Sequence, residues 1–357
     1  MTPDKLLLFN LRTDADDQVL SFTTGWINAL AAHFAYVDVL TMHAGRLAVA
    51  DNVQVYSVGR ERGLSEARRA ANFYGILTRL LSRRSYTACF AHMMPLFAGM
   101  GGPLLTLAKV RTVLWYTHRQ RTRQLELGLR MSDRVVTAVK SSFPIESPKV
   151  RALGHGIDTD LYAPQDYQVG ERPRIVYVAR LTPIKHQHIL LQAALSLPQV
   201  EVVLIGDVPD GYDDAYKRQL MQQAQDSGIA ERVIFTGPQT PDQIREWLRG
   251  AFVAVNLAPV GLFDKAPLES MSAGVPTIVA NPAFESVTAG YVNLLHIPDP
   301  QAVNALVTRL HGALMLGPTK RTQIGLALRD RVIAQHSLHQ LMQRLVSVLK
   351  TGEVSEV

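Results

Sequence analysis

The amino-acid sequence predicts an α/β protein of two domains, each built on a parallel β-sheet that is covered by helices. Three observations support this prediction. The chain has 357 residues, a length that suits two domains. Short runs rich in β-branched residues alternate with stretches of helical periodicity. The alternation restarts after a polar segment, Gln165–Arg172, which is predicted to link the two domains.

In the first half of the chain, short apolar runs predict the strands of one sheet. These runs are Lys5–Leu11, Val37–Met42, Val53–Val58, Tyr86–His92, Thr112–Thr117 and Arg134–Val139. Apolar residues at helical spacing predict helices near Thr24–Phe34, Leu64–Arg83 and Gln120–Met131. Because strands and helices alternate, the sheet should be parallel.

The second half repeats the pattern. Its predicted strands are Arg174–Val178, Glu201–Ile205, Arg232–Thr236, Phe252–Asn256 and Pro276–Ala280. Its predicted helices are Lys185–Leu197, Asp213–Ser227, Pro241–Arg249 and Ala266–Ala273. We therefore expect domains at 1–165 and 166–335, with a C-terminal helix within 336–357 that packs on either domain, including back on the first. Two such domains would form a cleft, and ligands of such sheets bind outside the carboxyl ends of the strands.

The composition is that of a soluble globular protein, with 47% hydrophobic and 19% charged residues. Cys89 is the only cysteine, which excludes an internal disulfide and a cysteine-based zinc site and fits a reducing compartment. The sequence shows no signal-peptide pattern. The longest uncharged stretch, Met93–Ala108, is too short and too interrupted by proline and glycine to span a membrane. We therefore expect a cytoplasmic protein.

Positive charge is concentrated in the first half. Residues 1–150 contain 19 lysines and arginines against 11 acidic residues, whereas the rest contains 18 against 20. An anionic partner of the first domain is expected from this excess: a membrane lipid, a phospholipid-linked acceptor or nucleic acid.

Seven arginines lie between Arg60 and Arg84, around apolar residues at helical spacing. The favoured interpretation is an amphipathic helix whose arginines are solvated. The alternative is that this segment docks the domain on an anionic membrane surface, at the inner face of the plasma membrane, where each basic residue contributes about 1 kcal/mol.

The strongest motif runs from Pro267 to Pro276 and reads PLESMSAGVP. It predicts a helix that carries the carboxylate of Glu269, ends at Gly274 and leads into a strand. Such a carboxylate can accept hydrogen bonds from two vicinal hydroxyls, as a ribose offers. Taken alone, the motif favours a glutamate that merely complements the helix dipole.

Two further motifs follow predicted strands. Arg180 follows the first strand of the second domain and Lys185 starts its first helix, positions that suit a diphosphate and equally suit a solvated basic turn. Gly206 follows the next strand and would let the backbone approach a ligand closely. No GxGxxG dinucleotide fingerprint follows it.

Together with Phe235-Thr236-Gly237, these motifs resemble the donor domain of glycosyltransferase family 4 (group 1) in order and spacing, over most of residues 174–290. The resemblance implies a retaining enzyme of the GT-B fold, in which two Rossmann-like domains face a cleft. It also implies that Arg180 and Lys185 bind the donor diphosphate, that Glu269 binds the ribose, and that Gln239 lies in the loop that meets the base.

The sequence departs from the family pattern at one position. The family has two glutamates, and the first would fall on Gly261. The family's phenylalanine is kept as Phe263, and Asp264-Lys265 follow it. Either Asp264 takes over part of the role of that glutamate at the transferred sugar, together with Lys265, or the sugar is bound differently. The departure leaves the prediction of nucleotide binding unchanged.

The first half supports the same family through single residues. His118 ends a strand, as a family histidine does, and is predicted to be catalytic, although a lone histidine is more often structural. Gly25 lies where the family has a glycine-rich turn against donor phosphate, and capping by Thr23 or Thr24 is the competing interpretation. His92 and His155, which replaces a family asparagine, are predicted to line the acceptor side.

The expected reaction is metal-independent transfer of a hexose-type sugar from a UDP- or GDP-type donor to a glycan or lipid-linked acceptor, in synthesis of cell-envelope polysaccharide or glycolipid. No cofactor is expected, and no Asp-x-Asp metal motif lies in the donor region. The catalytic prediction comprises His118, Asp264 and Glu269.

Two other classes of function remain open from the sequence. One is a nucleotide-sugar epimerase or a phosphorylase of the same architecture. The other is a non-catalytic basic protein that binds membrane or nucleic acid. Nucleic acid is the less favoured partner, because no basic segment is interleaved with aromatic residues as in single-strand binders.

Overall fold

The computed structural model describes residues 4–17, 20–167, 170–209 and 211–354. The chain forms two compact units, Met1–Gly154 together with Leu341–Val357, and His155–Gln340. Each unit contains one β-sheet whose paired strands are all parallel. The predicted class of two α/β domains is therefore confirmed.

The sheet of the first unit has the strand order β3-β2-β1-β4-β5-β6-β7. The strands are β1 (Lys5–Thr13), β2 (Tyr36–Ala44), β3 (Val53–Ser57), β4 (Ala88–His92), β5 (Arg111–Trp115), β6 (Arg134–Thr137) and β7 (Val150–Ala152). The helices are α1 (Phe22–Ala31), α2 (Glu66–Arg83), α3 (Pro95–Leu107) and α4 (Arg123–Met131). The strands β1 to β3 are added towards one edge of the sheet and β4 to β7 towards the other, so the strand order reverses between β1 and β4. Open α/β sheets bind ligands at such a switch point.

The second unit has a five-stranded sheet of order β10-β9-β8-β11-β12. The strands are β8 (Arg174–Val178), β9 (Glu201–Ile205), β10 (Val233–Phe235), β11 (Ala251–Asn256) and β12 (Thr277–Val279). The helices are α5 (Gln187–Ala194), α6 (Ala215–Asp226), α7 (Pro241–Arg249), α8 (Lys265–Ser272), α9 (Glu285–Thr288), α10 (Val292–Leu295), α11 (Val303–Leu314) and α12 (Pro318–His336). Here the switch point lies between β8 and β11.

Helix α3 was not predicted, because its sequence is interrupted by two prolines and several glycines. Pro95 occupies the first turn, where a missing N–H costs nothing, and Pro103 lies inside the helix. The glycines allow close packing against α4: a Cβ atom on Gly102 would lie 2.5 Å from the Cβ of Met131. Among the described residues, no helix has both the length and the apolar character that crossing a bilayer requires.

The predicted domain boundary at 165 was wrong, because the structure puts it after Gly154. The main chain of Thr159 and Tyr162 accepts hydrogen bonds from Arg329, at 3.0 and 3.1 Å, within the second unit. Ser272 also donates to the Tyr162 carbonyl, at 2.9 Å. The segment after Gly154 is thus part of the second unit rather than of the first. Residues 168 and 169 of the predicted linker lie outside the described residues.

The last helix, α13 (Leu338–Thr351), carries the chain back into the first unit. Arg111, at the start of β5, donates to the carbonyls of Leu349 and Lys350 at 2.9 and 2.6 Å. These are carbonyls that the end of a helix leaves without partners of its own. The Lys350 ammonium also pairs with Asp4 at 2.8 Å. The first unit is therefore completed by both ends of the chain.

The basic segment forms the amphipathic helix α2, which buries Phe73, Leu77 and Leu80. Arg84, just after the helix, is not a solvated residue. Its guanidinium donates to the carboxylate of Asp38, a fully buried residue of β2, at 3.0 Å. The Tyr86 hydroxyl donates to the same carboxylate oxygen at 2.6 Å. Arg84 therefore stabilises a buried charge and belongs to the framework of the unit.

Candidate functional site

The loops after β8 and β11 meet at the switch point of the second unit. Lys185 follows β8 in a 3₁₀ turn, Pro183–Lys185, rather than in the helix that the sequence predicted. Its Nζ atom lies 2.5 Å from Oδ2 of Asp264, which follows β11 and directly precedes α8. Lys185 is only 5% exposed. Two of the predicted donor-site residues are thus in direct contact.

Arg180 lies on the same loop as Lys185. Its side chain is exposed and makes no hydrogen bond or ion pair within the part of the chain that the structure describes. Its carbonyl accepts a hydrogen bond from the side chain of Gln187, at 2.9 Å, and Gln187 is fully buried in the first turn of α5. The loop is therefore fixed while the guanidinium stays available to a ligand.

Gly206 follows β9 and passes close to the Arg180 loop. Its φ angle is 128°, and a Cβ atom there would lie 2.3 Å from the carbonyl oxygen of Ala179. Its N–H donates to the Gly237 carbonyl at 3.0 Å, which joins the loops after β9 and β10. The structure shows a close approach of Gly206 to another strand-end loop, and its predicted approach to a ligand stays a prediction.

We expect Gly206→Ala to destabilise the protein more than Gly228→Ala. Gly228 also has a positive φ, 66°, but a Cβ atom there meets nothing within 4 Å. Both changes carry the left-handed backbone cost of about 1–2 kcal/mol, and only the first adds a clash with main chain. Urea unfolding of the two variants measures the difference, and equal losses would contradict the close packing of the two loops.

Helix α8 presents Glu269 as predicted. Gly274 ends the helix with a φ of 76°, and the N–H groups of Gly274 and Val275 donate to the carbonyls of Met271 and Ser270, both at 3.0 Å. This is a Schellman closure, which the glycine of the motif predicts. Glu269 itself is half-buried, and burial raises its pKa to about 6, although the positive charge of Lys265 opposes the shift.

The raised pKa of Glu269 gives a prediction about stability. Because the folded-state pKa lies above the usual value, ionisation of Glu269 costs free energy in the folded protein as pH rises through about 6. We expect Glu269→Gln to raise the free energy of unfolding by about 1–2 kcal/mol at about pH 8 and to leave it nearly unchanged at about pH 4. Urea unfolding at both pH values tests this. Glu246→Gln, on an exposed face of α7, serves as the control.

Lys265 lies one helical turn before Glu269, at the first position of α8. Burial lowers its pKa, and the Glu269 carboxylate opposes that shift. Each of the two side chains therefore shifts the pKa of the other, since residues four apart on a helix are neighbours on its surface. Lys265 directly follows Asp264 in the chain, and its charge acts on Glu269 and His155.

Phe263 is buried and stacks on the ring of His155, with ring centroids 5.3 Å apart and planes 8° from parallel. The Nε2–H of His155 donates to the Phe263 carbonyl at 2.8 Å, so the Nδ1 atom carries the lone pair. Burial and the charge of Lys265 lower the pKa of His155 to about 3. His155 is thus a neutral, buried residue that holds the donor-site loop. Its predicted acceptor role stays a prediction.

Gly261 adopts a φ of 92° in the loop between β11 and α8. The buried side chain of Asn281 donates to the carbonyls of Pro259 and Leu262, at 3.3 and 3.0 Å, and so holds the loop on both sides of the glycine. A glutamate at this position would be strained in that backbone conformation. Glycine, which stands at this position in the chain, adopts that conformation without strain.

Gln239 lies in the loop after β10, as predicted. Its side-chain amide donates to the carbonyls of Thr236 and Pro238, at 3.2 and 3.0 Å. No contact in the structure tests its expected role at the base.

The remaining predicted residues, Gly25, His92 and His118, lie in the first unit. Gly25 is exposed in the first turns of α1, and the cap of this helix is Ser21, so capping by Thr23 or Thr24 was wrong. His92 ends β4 and is buried beside Trp26, with ring centroids 4.7 Å apart. His118 is exposed in the loop after β5. The catalytic and acceptor roles of these residues stay predictions.

Within the described ranges, no group of three or more His, Cys, Asp or Glu side chains could hold a metal ion. Carboxylates of the acidic loop near Asp14–Asp17 form ion pairs with arginines of the first unit: Asp16 pairs with Arg46 at 2.8 Å, and Asp17 pairs with Arg12.

Sequence reasoning missed two buried polar residues at this site. Asn256, the last residue of β11, donates to the Asp264 carboxylate at 3.1 Å. Tyr177, in β8, donates its hydroxyl to the Lys185 carbonyl at 2.5 Å. A polar residue that ends an apolar strand, as in AFVAVN, is the signal that could have identified Asn256.

Solved structures share the whole architecture. The HepE protein of Anabaena, in a crystal structure with UDP and glucose, matches with a TM-score of 0.74 at 17% identity, covering 98% of this chain and 100% of that one. Sucrose-phosphate synthase from Thermosynechococcus elongatus matches with a TM-score of 0.72 at 17% identity, covering 97% and 98%. Together with the two parallel sheets, these matches define the fold as GT-B, with two Rossmann-like domains.

Sequence comparisons match part of the second unit to a known family. Residues 172–312 match the family model described as glycosyl transferases group 1. D-inositol 3-phosphate glycosyltransferase from a Mycobacterium species (strain JLS) is 32% identical over 140 residues, 37% of this chain and 32% of the relative. A mannosyltransferase of Mycobacterium tuberculosis that acts on phosphatidylinositol monomannoside is 26% identical over 228 residues, 57% and 56% of the two chains. The chain thus matches between about a third and just over half of the length of these relatives. Part of the second unit, residues 172–312, is therefore similar in sequence to group 1 glycosyl transferases.

Proposed function

We propose that the protein transfers a sugar from a nucleoside-diphosphate sugar to an acceptor hydroxyl, with retention at the anomeric carbon. The observation that carries the proposal is the group of charged residues at the switch point of the second unit. A buried ammonium at Lys185 and a free guanidinium at Arg180 lie on the loop after β8. The carboxylate of Glu269, whose pKa is raised, lies on helix α8, which follows β11. Such a set matches a diphosphate joined to a ribose.

The names of similar proteins support a nucleotide-sugar donor. The mycobacterial mannosyltransferase is named as GDP-mannose-dependent, and the HepE structures contain UDP, UDP with glucose, or UDP-glucose. These relatives and neighbours favour transfer over the epimerase, phosphorylase and binding-protein alternatives. A donor of the UDP or GDP type is therefore proposed here.

Within the second unit, Arg180 and Lys185 would bind the two phosphates and Glu269 the ribose. Gly206 would admit the donor close to the main chain. Gln239 would meet the base, and the loop of Phe263, Asp264 and Lys265 would face the transferred sugar.

The first unit would complete the reaction. His118 would act near the donor sugar, and the first turn of α1 at Gly25 would approach a phosphate. His92, in the first unit, and His155, in the second, would lie towards the acceptor. We further propose a glycan or lipid-linked acceptor, a cytoplasmic location, and contact with an anionic membrane through the Arg60–Arg84 segment. Arg84 is then excluded from that contact, since it pairs with Asp38.

The proposed chemistry is an exchange of one C–O bond for another. The bond between the anomeric carbon and the diphosphate oxygen breaks, and the acceptor oxygen bonds to the same face of that carbon. The acceptor proton passes to the leaving diphosphate. Lys185 and Arg180 would stabilise the negative charge that develops on the leaving group, in place of a metal ion.

The test is release of nucleoside diphosphate from a panel of UDP-, GDP- and ADP-sugars, with the wild-type protein and Glu269→Ala. Slow hydrolysis of one donor, lost in the variant, supports the proposal and identifies the nucleotide. No release from any donor, with no thermal shift by free nucleotides, would overturn it.

A further inference from the structure

Lys185 is held by a polar network that includes two buried residues, Tyr177 and Asn256, to which the proposed function gives no role. The Tyr177 side chain, 1% exposed, lies at the centre of it. Its hydroxyl donates to the Lys185 carbonyl at 2.5 Å and accepts from the N–H of Leu257 at 2.8 Å. Leu257 directly follows β11, so this one hydroxyl joins the two strand-end loops at the switch point. The main chain of Lys185 is thereby fixed.

The side chain of Lys185 is fixed from the other side. Asp264 Oδ2 accepts from Lys185 Nζ at 2.5 Å and from Nδ2 of Asn256 at 3.1 Å. Asn256 is 1% exposed, and its own Oδ1 accepts from the N–H of Ala258 at 3.2 Å. Both ends of the Asn256 amide are therefore engaged, and the amide can take only one orientation.

Resting on the proposed function, we propose that Asn256 is a positioning residue of the donor site. It orients the Asp264 carboxylate so that this carboxylate holds the Lys185 ammonium at a fixed place beside the phosphate site. Asp264 then acts through Lys185.

The physical reason is preorganisation. A lysine has a flexible stem and three donors, and ordering it when the ligand binds costs side-chain entropy. Asp264 takes one donor and leaves the others for phosphate oxygens. An ammonium that is already ordered loses less freedom on binding, which strengthens the interaction with the diphosphate.

The first measurement is the inhibition constant of inorganic pyrophosphate against nucleoside diphosphate release, since pyrophosphate tests the phosphate site without a base or sugar. We expect Asn256→Leu to weaken pyrophosphate inhibition about tenfold, the size expected from losing one hydrogen bond to a charged group. Asn256→Ser, whose hydroxyl is too short to reach Asp264, should do the same if the leucine variant does not fold.

The matched control is Thr277→Val. Thr277 is fully buried in the same unit and donates one hydrogen bond, to the Val275 carbonyl at 2.9 Å, at the start of β12 and away from Lys185. The control should retain the wild-type inhibition constant. Equal weakening in both variants would show a general effect of instability and would overturn the proposal.

A double-mutant comparison separates this role from a direct contact with the ligand. In a Lys185→Ala background, Asn256→Leu should change the inhibition constant no further, because Asn256 acts through Lys185. A further loss of the same size would overturn the proposal. A wild-type protein that cleaves no donor and binds no pyrophosphate would overturn the proposed function itself. Wild-type inhibition that Asn256→Leu leaves intact would overturn only the role of Asn256.

Discussion

Lys185→Ala is expected to lower kcat/KM for donor cleavage by about 10²–10³, the loss typical of removing one group that stabilises charge in the transition state. Most of the effect should appear in kcat, because the leaving diphosphate gains negative charge as its bond to the sugar breaks. Folding should be little affected, since Asp264 keeps the hydrogen bond from Asn256 and its side chain is 26% exposed to water. Steady-state kinetics of nucleoside diphosphate release measure the change.

Arg174→Ala is the control for this prediction. Arg174 pairs with Glu201 at 2.7 Å at the start of β8, whereas Lys185 follows the other end of the same strand. The two variants each lose a cation that pairs with a carboxylate in the second unit. Retention of wild-type kcat/KM by Lys185→Ala would remove Lys185 from the donor site and with it the main support for the proposed chemistry.

Arg84→Ala is expected to lower the free energy of unfolding by about 3–5 kcal/mol, because it leaves the buried Asp38 carboxylate without its cation. The Tyr86 hydroxyl remains as a donor to the same oxygen, but it carries no positive charge. Arg84 also stacks on the Tyr36 ring, 3.7 Å from its centroid, so the change removes packing as well as charge. Denaturant unfolding measures the loss.

Arg83→Ala provides the comparison, since Arg83 is exposed and its side chain has no partner among the described residues. Its stability should stay within about 0.5 kcal/mol of wild type. Comparing the two variants also distinguishes an arginine that stabilises the fold from an arginine of the exposed surface in the basic segment. Loss of binding to anionic vesicles in Arg83→Ala, at unchanged stability, would support the proposed membrane contact. Equal stability of the two variants would contradict the buried ion pair.

The strands could be predicted because their signals are local. The predicted strands Arg174–Val178 and Glu201–Ile205 coincide with β8 and β9, since each is a short apolar run bounded by polar residues. The end of α8 at Gly274 could also be predicted from the sequence, because the left-handed residue that closes a helix is usually a glycine. The GT-B fold followed from the order of such elements together with the family motifs.

The failures of sequence reasoning concern contacts distant in the chain. Asp38 and Arg84 are 46 positions apart, and Lys185 and Asp264 are 79 apart, so no spacing rule connects them. The boundary at Gly154 depends on Arg329 binding the main chain of Thr159 and Tyr162. A polar linker pattern at 165–172 carries no information about that bond. The motifs predicted the donor-site residues, whereas the polar network around Lys185 and Asp264 could be found only in the structure.

The completion of the first unit by α13 has a consequence for biosynthesis. The residues that Arg111 binds, Leu349 and Lys350, are translated long after the rest of that unit. All of His155–Gln340 is made in between. The unit that leaves the ribosome first should therefore be the last to reach its final stability, while the second unit can fold as a continuous segment. A chain that ends after Gln340 and has been released from the ribosome should carry a folded second unit and a protease-sensitive first one.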